Sequence, residues 1–126
     1  MSQESTYIPG VCNINKEEIA YRKKAGYFGL GASVVVITIL LVLDANQYLR
    51  LIAFFPVFVT AIGFLQAKNK FCVAYGAAGK QNATDGGKAS QIKDKLAISG
   101  DKKRARRMNI QALAISLVVT IVLVLI

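Results

Sequence analysis

The sequence predicts an all-α integral membrane protein with three transmembrane helices, a helical hairpin plus a C-terminal span, and a basic cytoplasmic loop. Three observations predict it. Residues 25–43, 51–67 and 108–126 form apolar runs without a single Asp, Glu, Lys or Arg. Mean hydropathy is +0.44, high for a domain that folds in water and ordinary for one dissolved in lipid. The Lys and Arg residues, 16 against 7 acidic ones, gather at one end of all three runs, the bias that orients helices in a bilayer. Residues 1–126 therefore read as a single membrane domain, with its cytoplasmic loop over 68–107.

The first run, "AGYFGLGASVVVITILLVL", makes roughly 28 Å of helix at about 1.5 Å per residue, which matches the hydrocarbon core. Arg22, Lys23 and Lys24 before it resemble the basic start of a signal peptide. The run is too long for one, however, and "VLDANQ" is a poor small-x-small cleavage site, so a retained anchor is expected. Asn15 in "NKEE" predicts an N-cap, with Glu17 and Glu18 at the positive end of the dipole. The helix is then expected from about residue 16 to 43, starting in water, with Ile19, Tyr21 and Tyr27 near the headgroups.

"LDANQYLR" is the only break before the second run, which predicts a tight antiparallel hairpin. Pro56 within "LIAFFPVFVTAIGFLQA" removes one backbone bond and predicts a packing kink near Ile52 rather than a gating hinge. The third run is long enough to cross once. The carboxylate of Ile126 is then expected on the opposite side, because a charge left in hydrocarbon costs several kcal/mol.

Lys16, Arg22, Lys23, Lys24, Lys68, Lys70 and every basic residue from Lys80 to Arg107 flank one side of the spans, leaving only Arg50 on the other. The expected topology is a bacterial inner membrane protein with a cytoplasmic N-terminus and an outside C-terminus. Small residues recur at Ala25, Gly29 and Ser33, at Thr60, Gly63 and Ala67, and at Ala112, Ser116 and Thr120, spacings that predict helix packing within the bundle. A stripe reserved for another subunit is the alternative. No ionisable residue lies inside a span, which argues against a pump or a charged pore built from one copy. A channel would need several copies, lined by Ser33, Thr60 or Thr120.

Histidine is absent, which removes the usual general base and the commonest metal ligand. Cys12 and Cys72 have neither zinc nor CxxC spacing. They form a candidate thiol pair, although two thiols in a reducing compartment are ordinarily just reduced thiols. No metal and no cofactor is expected.

In the loop, Phe71 and Tyr75 are four apart, so a helical continuation would turn both rings toward the headgroups. "GKQNATDGGKAS" reads as a flexible linker bending at Gly86 and Gly87, and it fails the phosphate-loop pattern because neither Gly-Lys pair is followed by Ser or Thr. Ala89, Ile92 and Leu96 opposed by Lys88, Lys93 and Lys95 predict a short helix lying on the membrane. "SGD" is then expected to break it, with Asp101 capping the third span.

Lys102, Lys103, Arg104, Arg106 and Arg107, with Arg22, Lys23 and Lys24, are the candidate lipid- or partner-contacting residues. At a helix N-terminus each cation opposes the macrodipole by about 0.3–1 kcal/mol. Attraction to an anionic leaflet, about 1 kcal/mol per basic side chain, offsets that. Nucleic acid would meet the same charges, but no separate fold positions them for it.

"PGVCNINKEEIAYRKKAGY" and "FLQAKNKFCVAYG" resemble the paired signatures of a group of small, uncharacterised bacterial multi-span membrane proteins, over residues 7–79. That resemblance implies a membrane location and brings no catalytic residue or substrate. The resulting expectation is a non-enzymatic accessory or structural subunit of a larger inner-membrane complex, touching anionic lipid and other membrane subunits. The alternatives are a homo-oligomeric channel or carrier for a neutral solute and, third, a thiol-dependent membrane enzyme.

Overall fold

A computed structural model of the chain describes residues 7–84 and 86–126. It is all-α, with three helices long and apolar enough to cross a membrane. Helix α1 runs Lys16–Val42. The hairpin turn leads into α2 (Gln47–Arg50), a 3-10 turn (Leu51–Ala53) and α3 (Phe54–Asn69), which together form the second span. A short α4 (Val73–Ala78) follows, then an antiparallel ladder of β1 (Lys80–Gln81) with β2 (Ser90–Gln91), and finally the long α5 (Lys95–Leu125).

Local chemistry explains the ends. Asn15 caps α1 by accepting the Glu18 amide at 2.9 Å, and Asn46 caps α2 in the same way through the Leu49 amide. Pro56 lies in the first turn of α3, where its missing N–H is one of the donors a helix leaves unpaired anyway. The irregularity it imposes is the 3-10 turn at Leu51–Ala53, where the Phe54 amide turns to the carbonyls of Leu51 and Ile52. Helix α3 stops at Lys70, which adopts a left-handed conformation with φ of 55°.

The three spans pack in a row, with α3 in contact with both α1 and α5. At the α1–α3 seam the backbones themselves meet. A Cβ added at Gly63 would lie 2.7 Å from the Gly26 amide nitrogen, and one at Gly29 would lie 2.7 Å from that of Thr60. The hydroxyls of Ser33 and Thr60 lie 3.3 Å apart, and each also donates to its own helix, at Gly29 O and Pro56 O. Ala25, the first residue of the expected stripe, is only half-buried, and its neighbour Gly26 makes the close approach instead. On α5, Ala112, Ser116 and Thr120 are buried, and the two hydroxyls again donate back one turn, to Ala112 O and Ser116 O.

Three local expectations fail. The break at "SGD" does not occur: Ser99, Gly100 and Asp101 lie inside one continuous α5, capped by Asp94 through the Leu96 amide. A buried stripe at Ala97, Asp101, Ala105, Met108 and Ala112 keeps spacings of three and four through that sequence, so tertiary packing overrides the weak local propensity of Ser-Gly-Asp. The separate amphipathic helix expected over 88–99 does not form: Ser90 and Gln91 are extended, and residues 95–99 are the first turns of α5. Finally, Phe71 does not face headgroups. Helix α3 ends before it, and its ring is fully buried against Val73, Ala105 and Met108, with Ile62 and Leu65 alongside.

Candidate functional site

Above the basic end of the spans, residues 7–15, α4, the β-ladder and the start of α5 form a polar cap. Its hub is Asn13, which is fully buried. The Asn13 side chain accepts the Cys72 amide at 2.6 Å and donates to the Cys72 carbonyl at 3.1 Å. Its backbone carbonyl accepts the Asn82 amide at 2.8 Å, and its amide donates to Lys70 O. One asparagine thus stitches the N-terminal segment to the α3–α4 turn and to the loop after α4.

Beside it stands a cluster centred on Glu18. Its carboxylate accepts from Tyr75 Oη at 2.7 Å and Asn82 Nδ2 at 2.8 Å, and it pairs with Arg22 one turn along α1. Arg22 in turn donates to Cys72 Sγ at 3.0 Å and lies over the rings of Tyr21 and Tyr75. Both residues precede the uncharged segment that starts at residue 25. Burial alone would push the Glu18 carboxyl up; the hydrogen bonds from Tyr75 and Asn82 and the charge of Arg22 outweigh it and hold the group below its ordinary value. The same carboxylate raises the Tyr75 phenol, chiefly through their hydrogen bond.

A third contact ties the cap to α5. Asp101, fully buried, accepts Tyr7 Oη at 2.8 Å and the Gly10 amide at 2.6 Å. Its carboxylate therefore caps no helix; it anchors the turn at Ile8–Cys12, where Gly10 has φ of 71°. Burial, then Asp101 itself, push the Tyr7 phenol well above its ordinary range.

The sequence-derived candidates divide in two. Arg22, expected to contact lipid or a partner, is half-buried in the Glu18 cluster, with its guanidinium on Glu18 and Cys72. Arg104 also turns inward, donating to Asn69 Oδ1 at 2.6 Å, while its buried Nε has no partner. Lys23, Lys24, Lys102, Lys103, Arg106 and Arg107 are exposed. The KKRARR stretch, Lys102 to Arg107, begins two turns inside α5 rather than at its start, so the macrodipole, confined to the first turn, hardly opposes it.

Cys12 and Cys72 are free thiols with separate partners: Cys12 donates to Ile14 O at 3.6 Å, and Cys72 receives Arg22. Cys72 is 2% exposed, which closes its sulfur to a bulky substrate. Among the described residues no group of three His, Cys, Asp or Glu converges to hold a metal ion.

Sequence reasoning missed Asn13, Asn82 and the Glu18–Tyr75 bond. These join residues dozens of positions apart, so no local pattern announces them. The asparagine-rich "CNIN" was the available signal, since an Asn close to a span has few reasons to be there except to bond backbone. Comparison with family models, curated proteins and solved structures yields no match to this chain.

Proposed function

We propose that this protein is a non-enzymatic accessory subunit of a larger bacterial inner-membrane assembly, lying with its polar cap and exposed cations in the cytoplasm. The observation that carries this reading is the open row of spans. With α3 in the middle, most of the apolar surface of each span points outward: Phe28, Phe55 and Leu125 are 78%, 69% and 77% exposed. Between the three spans the row leaves an open apolar groove of about 320 Å³, lined among others by Leu30, Phe64 and Ile115, rather than a closed lumen, and such faces suit the helices of a partner as well as lipid. The positive-inside bias supports the location.

The polar groups speak against the other two readings. Ser33, Thr60 and Thr120 spend their hydroxyl protons on their own helices, which argues against a solute path lined by them. The burial of Cys72 argues against a thiol nucleophile there. Extraction in mild detergent through a tag on the full chain is the test. Recovery of a stoichiometric complex with other membrane proteins is expected; repeated recovery of this chain alone, or as a homo-oligomer that conducts in liposomes, overturns the proposal.

A further inference from the structure

We infer that the exposed cationic face of α5 holds the headgroup of one anionic phospholipid, at a defined site formed by Lys103, Arg106, Arg107, Ile110 and Gln111. These five residues line a depression of about 470 Å³. A second one of about 390 Å³ adjoins it, sharing Lys103 and Arg106 and adding Lys95 and Lys102. Spacings of three and four put the set on one side of the helix.

The continuity of α5 makes this a site rather than a diffuse charge. Were the chain broken at Gly100 and Asp101, the cations would ride on a mobile loop; in one helix they are held at fixed height, directly above the charge-free segment that starts at residue 108. The wall passes without a break from guanidinium groups to Ile110, which is 59% exposed, so headgroup and acyl chain meet the same surface. Ion pairs among the described residues include Glu18–Arg22 and Asp44–Arg50. Lys102, Lys103, Arg106 and Arg107 are in neither pair, and four like charges on one helix face attract an anion.

The chemistry selects the ligand. A phosphodiester accepts bidentate guanidinium donation, and the Gln111 amide adds a neutral donor at the level of the glycerol and esters. A zwitterionic headgroup brings an amine that these cations repel, and a free phosphate lacks the tail that Ile110 would cover. The inference depends on the proposed topology only for which leaflet supplies the lipid.

The full chain in detergent, titrated with phosphatidylglycerol or phosphatidylcholine of equal chain length and followed by native mass spectrometry, tests it. Expected is one tightly held phosphatidylglycerol, weakened at least about tenfold in K103Q/R106Q/R107Q and essentially unchanged in K23Q/K24Q, which removes the same kind of charge from α1. All five positions are exposed, and Gln keeps a helix. Retention of the lipid by the triple variant, equal loss in the α1 variant, equal binding of phosphatidylcholine, or displacement by millimolar inorganic phosphate overturns the inference. A chain that binds the lipid yet never co-purifies with a partner refutes the accessory role alone.

Discussion

The cap and the spans of this protein cohere by opposite means. In the cap, amide, carboxylate and guanidinium groups from distant parts of the chain bond one another, with Asn13 and Glu18 as hubs. In the spans, hydroxyls bond back to their own helices and the neighbours meet through missing side chains, as at Gly63 and Gly26. The difference follows from the solvent. Lipid offers no hydrophobic drive between helices, so close approach is what is left to stabilise them, whereas near water a buried polar group is tolerated only when it finds a partner.

The largest expected effect breaks the span side of that comparison. Gly63→Ala sets a methyl against the Gly26 backbone, which cannot swing away as a side chain could, so α1 and α3 must separate. A loss of about 3 kcal/mol is expected in a mixed-micelle unfolding titration. Stability within a few tenths of wild type would mean that the seam is looser than the 2.7 Å approach implies.

Next comes the hub of the cap. Asn13→Ala leaves both backbone groups of Cys72 without their partner in a buried site, a cost of about 2 kcal/mol. The damage is expected to stay local: hydrogen exchange at the turn before α4 should quicken while α1 and α5 keep their protection. Equal acceleration in the spans would show that cap and spans unfold as one unit.

A smaller effect concerns pH. Glu18 is held below the ordinary carboxylate value of 4.5, so the unfolded chain takes up its proton more readily than the folded one. Its contribution to stability is fully present above that ordinary value and is lost as pH falls through the lower folded one. Thermal unfolding from pH 7 down to 3 should show this decline, and Glu18→Gln should remove part of it; a slope unchanged by the substitution would assign the decline to other carboxylates.

The smallest effect is expected at Ser33→Ala. Its hydroxyl lies at the α1–α3 seam but donates chiefly to Gly29 O, so the loss should be below about 1 kcal/mol. A cost as large as that of Gly63→Ala would show that the Ser33–Thr60 contact, rather than backbone approach, holds the seam.

Much of the architecture was legible. Charge-free runs of bilayer length mark the spans because a helix in lipid must be apolar along its whole length, and Asn15 reads as a cap because its oxygen sits where the free amides are. The three failed local expectations, at Phe71, over 88–99 and at Ser99-Gly100-Asp101, lie between residues 70 and 101. There the chain lies outside the uncharged runs, local signals are weak, and what the residues do depends on what packs on them. Ser99-Gly100-Asp101 looks like a stop, yet the turn around Gly10 supplies Asp101 with two donors, and the helix runs through.

By itself, the sequence determined how many apolar helices there are, how long they are and which end carries the cations, since those are sums over residues and need no partner. Tertiary structure decided which cations turn inward, as Arg22 and Arg104 do, and which stay exposed. It also decided that the basic ladder is a rigid part of α5. Both outcomes rest on contacts between residues far apart in the chain, where the free energy of a polar side chain depends on whether a distant group arrives to bond it.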